Sequence, residues 1–182
     1  MCIAGRQWSI LLAAAFLAAA VRPCRADGPT PEYEVKAAFL YNFTRFITWP
    51  PDTYSSGDAP FVVGVVGDDP FDGALEQAMA GKSVNNHPIQ VRHFDSAANL
   101  GDCQMLFVPA SEDSELSDIM NAEGKKPVLT VGESDAFCPA GGCLRFYIDN
   151  DHVRFEIAPD ALDAARLKVS AQLMRLARIY RK

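Results

Sequence analysis

The sequence predicts a single α/β domain: a mostly parallel sheet flanked by helices, extended by a C-terminal antiparallel hairpin and followed by a long C-terminal helix. Residues 61–66 read Phe-Val-Val-Gly-Val-Val, apolar or glycine throughout, which suits a strand buried on both faces. Beyond them, apolar runs alternate with helix-like segments as far as residue 131, the order of a parallel sheet with right-handed crossovers. Two more runs, 144–148 and 153–157, then enclose Asp149-Asn150-Asp151-His152, turn residues that fit a hairpin.

Residues 1–26 differ from the rest. Arg6 supplies positive charge, residues 8–21 form a short run dominated by Leu and Ala, and Cys24-Arg25-Ala26 ends in a small residue before Asp27. This is the plan of a secretory signal peptide. The run is shorter than the ~20 residues a helix needs to span a bilayer, so cleavage is expected rather than anchoring. The charge and proline of Arg22-Pro23 speak against a lipid on Cys24. Residues 27–182 remain, and with 49% hydrophobic and 22% charged residues in the whole chain they are expected to form one globular domain.

The chain carries a formal charge of −6, and loss of Arg6, Arg22 and Arg25 with the leader would make it −9. Such a protein repels phosphate backbones and gains nothing from anionic lipid, so neither nucleic acid nor the membrane surface is expected as a partner.

From residue 32 the pattern turns helical. Val35, Phe39, Phe43 and Ile47 recur every four residues, with Leu40 and Phe46 widening the stripe and Glu34, Lys36, Asn42 and Arg45 mostly off it. Trp49-Pro50-Pro51 ends the helix, because the residue before a proline is pushed out of helical geometry. After the strand at 61–66, Gly67 allows a sharp turn into Asp68-Asp69, and Pro70 suits the start of a helix over 71–80 that Gly81 closes. Strands are expected at 89–94, 103–108 and 127–131, the second of them apolar except for Gln104. Ser111 opens a segment rich in capping residues before the apolar side formed by Leu116, Ile119 and Met120. From Pro159, Leu162, Val169, Leu173, Leu176 and Tyr180 track one helical face, and basic residues including Arg166, Arg175, Arg178 and Lys182 load the C-terminal half. That basic run reads as a solvated helix end or, alternatively, as a docking surface, with Arg175 and Arg178 as the candidate partner-binding residues.

Open α/β sheets bind ligands beyond the C-terminal ends of their strands. Gly67, Asp68, Asp69 and Ser111 are therefore the candidate ligand crevice. Catalytic chemistry is not expected there. An acidic pair after the first strand is similar to that of response-regulator receiver domains, but the position of their phosphate-accepting aspartate reads Val108-Pro109-Ala110-Ser111. Gly64-Val65-Val66-Gly67 lacks the third glycine and lysine of a nucleotide cradle. Ser55, Ser111 and Ser170 lie in no Gly-x-Ser-x-Gly elbow, and His87, His93 and His152 have no metal-binding spacing among themselves. No enzyme, metal or cofactor is expected. Of the cysteines, Cys2 and Cys24 leave with the leader. Cys138 and Cys143 flank Pro-Ala-Gly-Gly, a turn that fits a structural disulfide or a reversible redox switch, and Cys103 is left over.

Taken in order, several segments resemble the YfiR family of exported bacterial regulators: Val35-Lys36-Ala37-Ala38-Phe39-Leu40-Tyr41-Asn42-Phe43 with Trp49-Pro50, Val66-Gly67-Asp68-Asp69-Pro70-Phe71, Gly81-Lys82, and residues 103–108. Residues 127–131, Gly141-Gly142, 167–170 and 173–177 continue the match. The resemblance implies a periplasmic α/β domain, often a homodimer, that acts by binding. It would engage the periplasmic sensor of a membrane diguanylate cyclase, or a comparable membrane sensor protein, and hold it inactive in cyclic di-GMP signalling, a role open to redox control. It also implies a pairing of the third-strand cysteine with a first-strand one; here the matching first-strand position is Gly64, which leaves Cys103 unpaired. The loop bridge carries over to Cys138 and Cys143. The glycine-rich strand end and its acidic loop leave a second reading, a periplasmic small-molecule-binding sensor domain.

Overall fold

All six residues of Phe61–Val66 are buried, and they form the middle of the sheet. The computed structural model describes residues 30–54, 56–123 and 126–181; the expected leader at 1–26, Ser55 and Lys182 lie outside them. In chain order the described elements begin with α1 (Pro31–Phe46), β1 (Ile47–Thr48), β2 (Phe61–Val66), α2 (Ala74–Met79), β3 (Ser83–Val84) and β4 (His87–Phe94). They continue with β5 (Met105–Val108), α3 (Leu116–Glu123), β6 (Leu129–Gly132), β7 (Leu144–Asp149) and β8 (His152–Ile157). The chain closes with α4 (Pro159–Ala164), β9 (Lys168–Val169), α5 (Ala171–Leu176) and β10 (Arg178–Ile179).

The main sheet has the order β10-β8-β7-β6-β5-β2-β4-β3. Strands β4, β2, β5, β6 and β7 run parallel, so the strand order reverses between β2 and β5. Strands β7 and β8 are the expected antiparallel hairpin, with Asn150 and Asp151 at φ of 48° and 60° in its turn. Alternation along β2 divides the core. Val63 and Val65 face α1, α2, α4 and α5, whereas Val62 and Val66 face α3 together with Leu106, Ile119 and Phe137. Strands β2, β5 and β6 are covered on both sides, which is why they lack polar alternation, whereas β4 nearer the sheet edge keeps it.

Gln104, the polar exception before β5, has a specific task. Its Oε1 accepts from the Val62 N–H at 2.7 Å, and its backbone oxygen accepts from Trp49 Nε1 at 2.9 Å. Gln104 thus joins the start of β2 through its side chain, and the chain leaving α1 through its backbone oxygen, to the start of β5.

The structure corrects two helical expectations. In α1 the buried face is Lys36, Ala37, Leu40, Phe43 and Thr44, while Val35 is 44% exposed. The face is turned because Leu40 and Phe43 lie over the sheet, and Phe39 and Phe43 both meet Phe155, at ring distances of 5.6 Å and 5.2 Å. The long C-terminal helix does not form. Arg166 takes φ 59°, its N–H donates to Asp163 O, and the Leu167 N–H donates to Leu162 O. This paired pattern ends a helix in the Schellman manner. The freed segment β9 pairs antiparallel with β1, and a new short helix starts where Ser170 Oγ accepts from the Leu173 N–H at 3.2 Å.

Candidate functional site

Strand order reverses between β2 and β5, and the segments leaving their C-terminal ends carry the expected crevice residues. Gly67 occupies the left-handed region at φ 72°, and its N–H donates to Phe94 O at 2.8 Å. The Glu112 side chain lies where a Cβ at Gly67 would project, so glycine is required both for the turn and for the close approach. Ser111 is exposed and donates from Oγ to Glu112 Oε1 at 3.2 Å. Asp68 points to solvent. Asp69 accepts the Phe71 N–H through Oδ1 at 2.9 Å and stands beside Glu76 and His93. The four residues are brought to one edge, but Asp69 belongs to a separate cluster from Ser111.

Beside them lies a buried ionic cluster that the sequence pattern did not single out. Glu133, just past β6, accepts from Lys36 Nζ at 2.5 Å, from Tyr33 OH at 3.0 Å and from the Ala110 N–H at 3.1 Å. Lys36 also pairs with Glu32 at 2.5 Å. Lys36 is only 3% exposed, yet it is neutralised twice and is not a free nucleophile. Burial, reinforced by the Glu133 charge, raises the Tyr33 phenol above its ordinary pKa and keeps it a neutral donor. The arrangement fastens α1 across the ends of β5 and β6. Its signal was present in the spacing: Lys36 falls on the same helical face as Leu40 and Phe43.

The expected partner-binding arginines separate. Arg178 donates to Glu156 Oε2 at 2.8 Å through Nε and lies 4.0 Å over the Tyr147 ring. Glu156 also accepts from Arg145 Nε at 2.6 Å, and Arg145 pairs with Asp135. Burial alone would lower the Arg145 pKa, but the bonds to Glu156 and Asp135 carry it above its ordinary value. Arg178 therefore ties β10 to β7 and β8. Arg175 is exposed, next to Leu176, whose side chain is 69% exposed.

The bridge expected between Cys138 and Cys143 is not formed; both are free and buried, as is Cys103. Each thiol has its own surroundings. Cys143 sits against Thr130, whose Oγ1 accepts the Cys143 N–H at 3.1 Å, and Cys138 lies beside Glu156. Burial raises both thiol pKa values, that of Cys138 up to about 12. Gly64 packs beneath Phe94 and Leu106 rather than presenting a partner for Cys103. A cavity of about 590 Å³ opens at the opposite edge of the sheet, lined by residues that include Thr53, Tyr54, Arg92, Cys103 and Gln104.

The model of the YfiR/HmsC-like family matches residues 33–178, which spans both the ionic cluster and the Glu156 tie. The chain belongs to this family. Among the described residues no helix is long and apolar enough to cross a membrane. No curated protein matches the sequence. Among solved structures, a conserved domain protein from Vibrio cholerae O1 biovar eltor superposes with a TM-score of 0.56 at 8% identity, over 82% of this chain. An ABC domain in complex with L-Trp from Streptococcus pneumoniae gives 0.53 at 9% identity, over 81% of this chain. In each case the match covers 60% of the other chain, and the likeness is one of α/β fold.

Proposed function

We propose that the protein is a non-catalytic periplasmic regulator that binds the periplasmic sensor region of a membrane diguanylate cyclase and holds the enzyme inactive. The observation that carries this reading is the family match over residues 33–178. The chemistry of the switch-point edge supports it: Lys36, Tyr33 and Glu133 are consumed in holding one another, so the edge is built for stability rather than turnover. Arg175 and the exposed Leu176 supply a cation beside an apolar contact, a pairing suited to docking on an acidic sensor surface. The test is to delete the gene in a strain that holds the partner cyclase and to measure cellular cyclic di-GMP. A rise is expected, and complementation should reverse it.

A second reading, a small-molecule-binding sensor, draws on the cavity of about 590 Å³, a size typical of ligand pockets. Thr53 Oγ1, on its wall, is buried with no hydrogen-bond partner among the described residues. A thermal-shift screen at high ligand excess tests it, since any ligand selective for the folded state raises the melting temperature. Absence of any shift across amino acids, nucleosides and organic acids would count against it.

A further inference from the structure

We propose that Asp69, Glu76 and His93 form a binding site for a divalent first-row transition metal, with Zn²⁺ as the reference ion. One ligand atom from each lies within 4.8 Å of the other two. Tetrahedral ligands bonded to one ion at about 2.0–2.2 Å stand about 3.3–3.6 Å apart, so rotation of these exposed side chains by about an ångström closes the three around a metal.

The three groups come from separate elements of the fold. Asp69 follows β2, Glu76 is in the first turn of α2, and His93 is in β4, where it is paired with Val65 of β2. Adjacent parallel strands deliver two ligands to one edge, and the short crossover helix returns the third over them. His93 Nε2 already lies 2.8 Å from Glu76 Oε1; on binding, the ion replaces the hydrogen that links them. Asp69 is held through Oδ1 by the Phe71 N–H, which leaves Oδ2 available.

The imidazole is what separates this cluster from an acidic patch. Mg²⁺ and Ca²⁺ favour oxygen ligands, whereas one nitrogen and two carboxylates suit zinc and its neighbours. Two carboxylates match the charge of the ion. His93 and Glu76 are 44% and 45% exposed, so solvent reaches the site and a water can complete four-coordination. The site is distinct from the Lys36–Glu133 cluster and does not depend on the proposed regulatory role.

The experiment is a Zn²⁺ titration of the untagged exported protein in competition with a chromophoric chelator, with Co²⁺ absorption as a second probe. The wild type should take up one equivalent. Loss of even an outer-shell partner typically weakens metal by about 10–100-fold, so His93→Ala should weaken Zn²⁺ at least that much. His152→Ala should bind like the wild type, and circular dichroism should show all variants folded. Glu76→Gln, a change at an exposed helix position, provides the same test should His93→Ala fail to fold. Wild-type Zn²⁺ affinity in folded His93→Ala or Glu76→Gln, or no uptake by the wild type at millimolar Zn²⁺, would overturn the proposal.

Discussion

Lys36 Nζ lies 2.5 Å from Glu133 Oε2 and joins α1 to the end of β6 across 97 residues of sequence. Both side chains are largely withdrawn from solvent, at 4% and 11% exposure. Removing one partner of a buried pair leaves an uncompensated charge, at a cost of about 3–5 kcal/mol. Lys36→Ala should lower the unfolding free energy obtained from urea titration by that order. Glu133→Gln should cost less, because its amide oxygen can still accept from Tyr33 and Ala110. Equal, small losses for the two variants would contradict the role assigned to this pair.

Glu156 provides a second contrast. It is buried between Arg145, which is also buried, and the half-exposed Arg178. Glu156→Ala leaves buried Arg145 with the exposed Asp135 as its remaining partner and should cost about 3 kcal/mol. Arg178→Ala removes a pair with one solvated member and should cost about 1 kcal/mol or less. Chemical denaturation of the two variants side by side measures the difference.

Gly67→Ala meets two obstacles at once. A left-handed backbone costs a non-glycine residue about 1–3 kcal/mol, and the new methyl must also displace Glu112. Gly73 has φ 83° but open space around its missing side chain, so Gly73→Ala should show the backbone cost alone. The expected order of melting temperatures is wild type, Gly73→Ala, then Gly67→Ala.

Burial, with the nearby Glu123 charge, pushes the Cys103 thiol up to about 12 from an ordinary value near 9. The folded state therefore keeps a proton that the unfolded chain releases. This contribution to stability is fully present below about pH 9 and is lost as pH rises through about 12. Urea midpoints should hold to about pH 9 and fall above it, with Cys103→Ala falling less steeply. A thiol reagent at neutral pH should react slowly with the native protein and quickly in denaturant, because the thiolate is the nucleophile.

Much of this fold was legible in the sequence because burial on both faces leaves a direct trace. The unbroken run of β2 and the Asp149–His152 turn each have one good structural solution. The C-terminal segment did not. Leu162, Val169 and Leu173 keep helical spacing through a break made by Arg166 in a left-handed conformation, a position where glycine would have announced the stop. Ser170 is an ordinary capping residue, and it was the available clue to the second helix. The site was less legible than the fold. Gly67, Asp68, Asp69 and Ser111 reach the expected edge, but Lys36 and Glu133 are separated by most of the sheet in sequence and meet only through the topology. His93 likewise has no local partner; its neighbours Asp69 and Glu76 come from the preceding crossover.

The central claim is that the protein acts by binding a membrane sensor. Affinity capture from detergent-solubilised membranes, with the wild type and Arg175→Glu compared under oxidising and reducing conditions, tests it most directly. The account predicts recovery of a diguanylate cyclase through its periplasmic region by the wild type and marked loss by the folded variant. Failure of the wild type to retain any cyclase or related membrane sensor, from cells that express one under its control, would contradict the account.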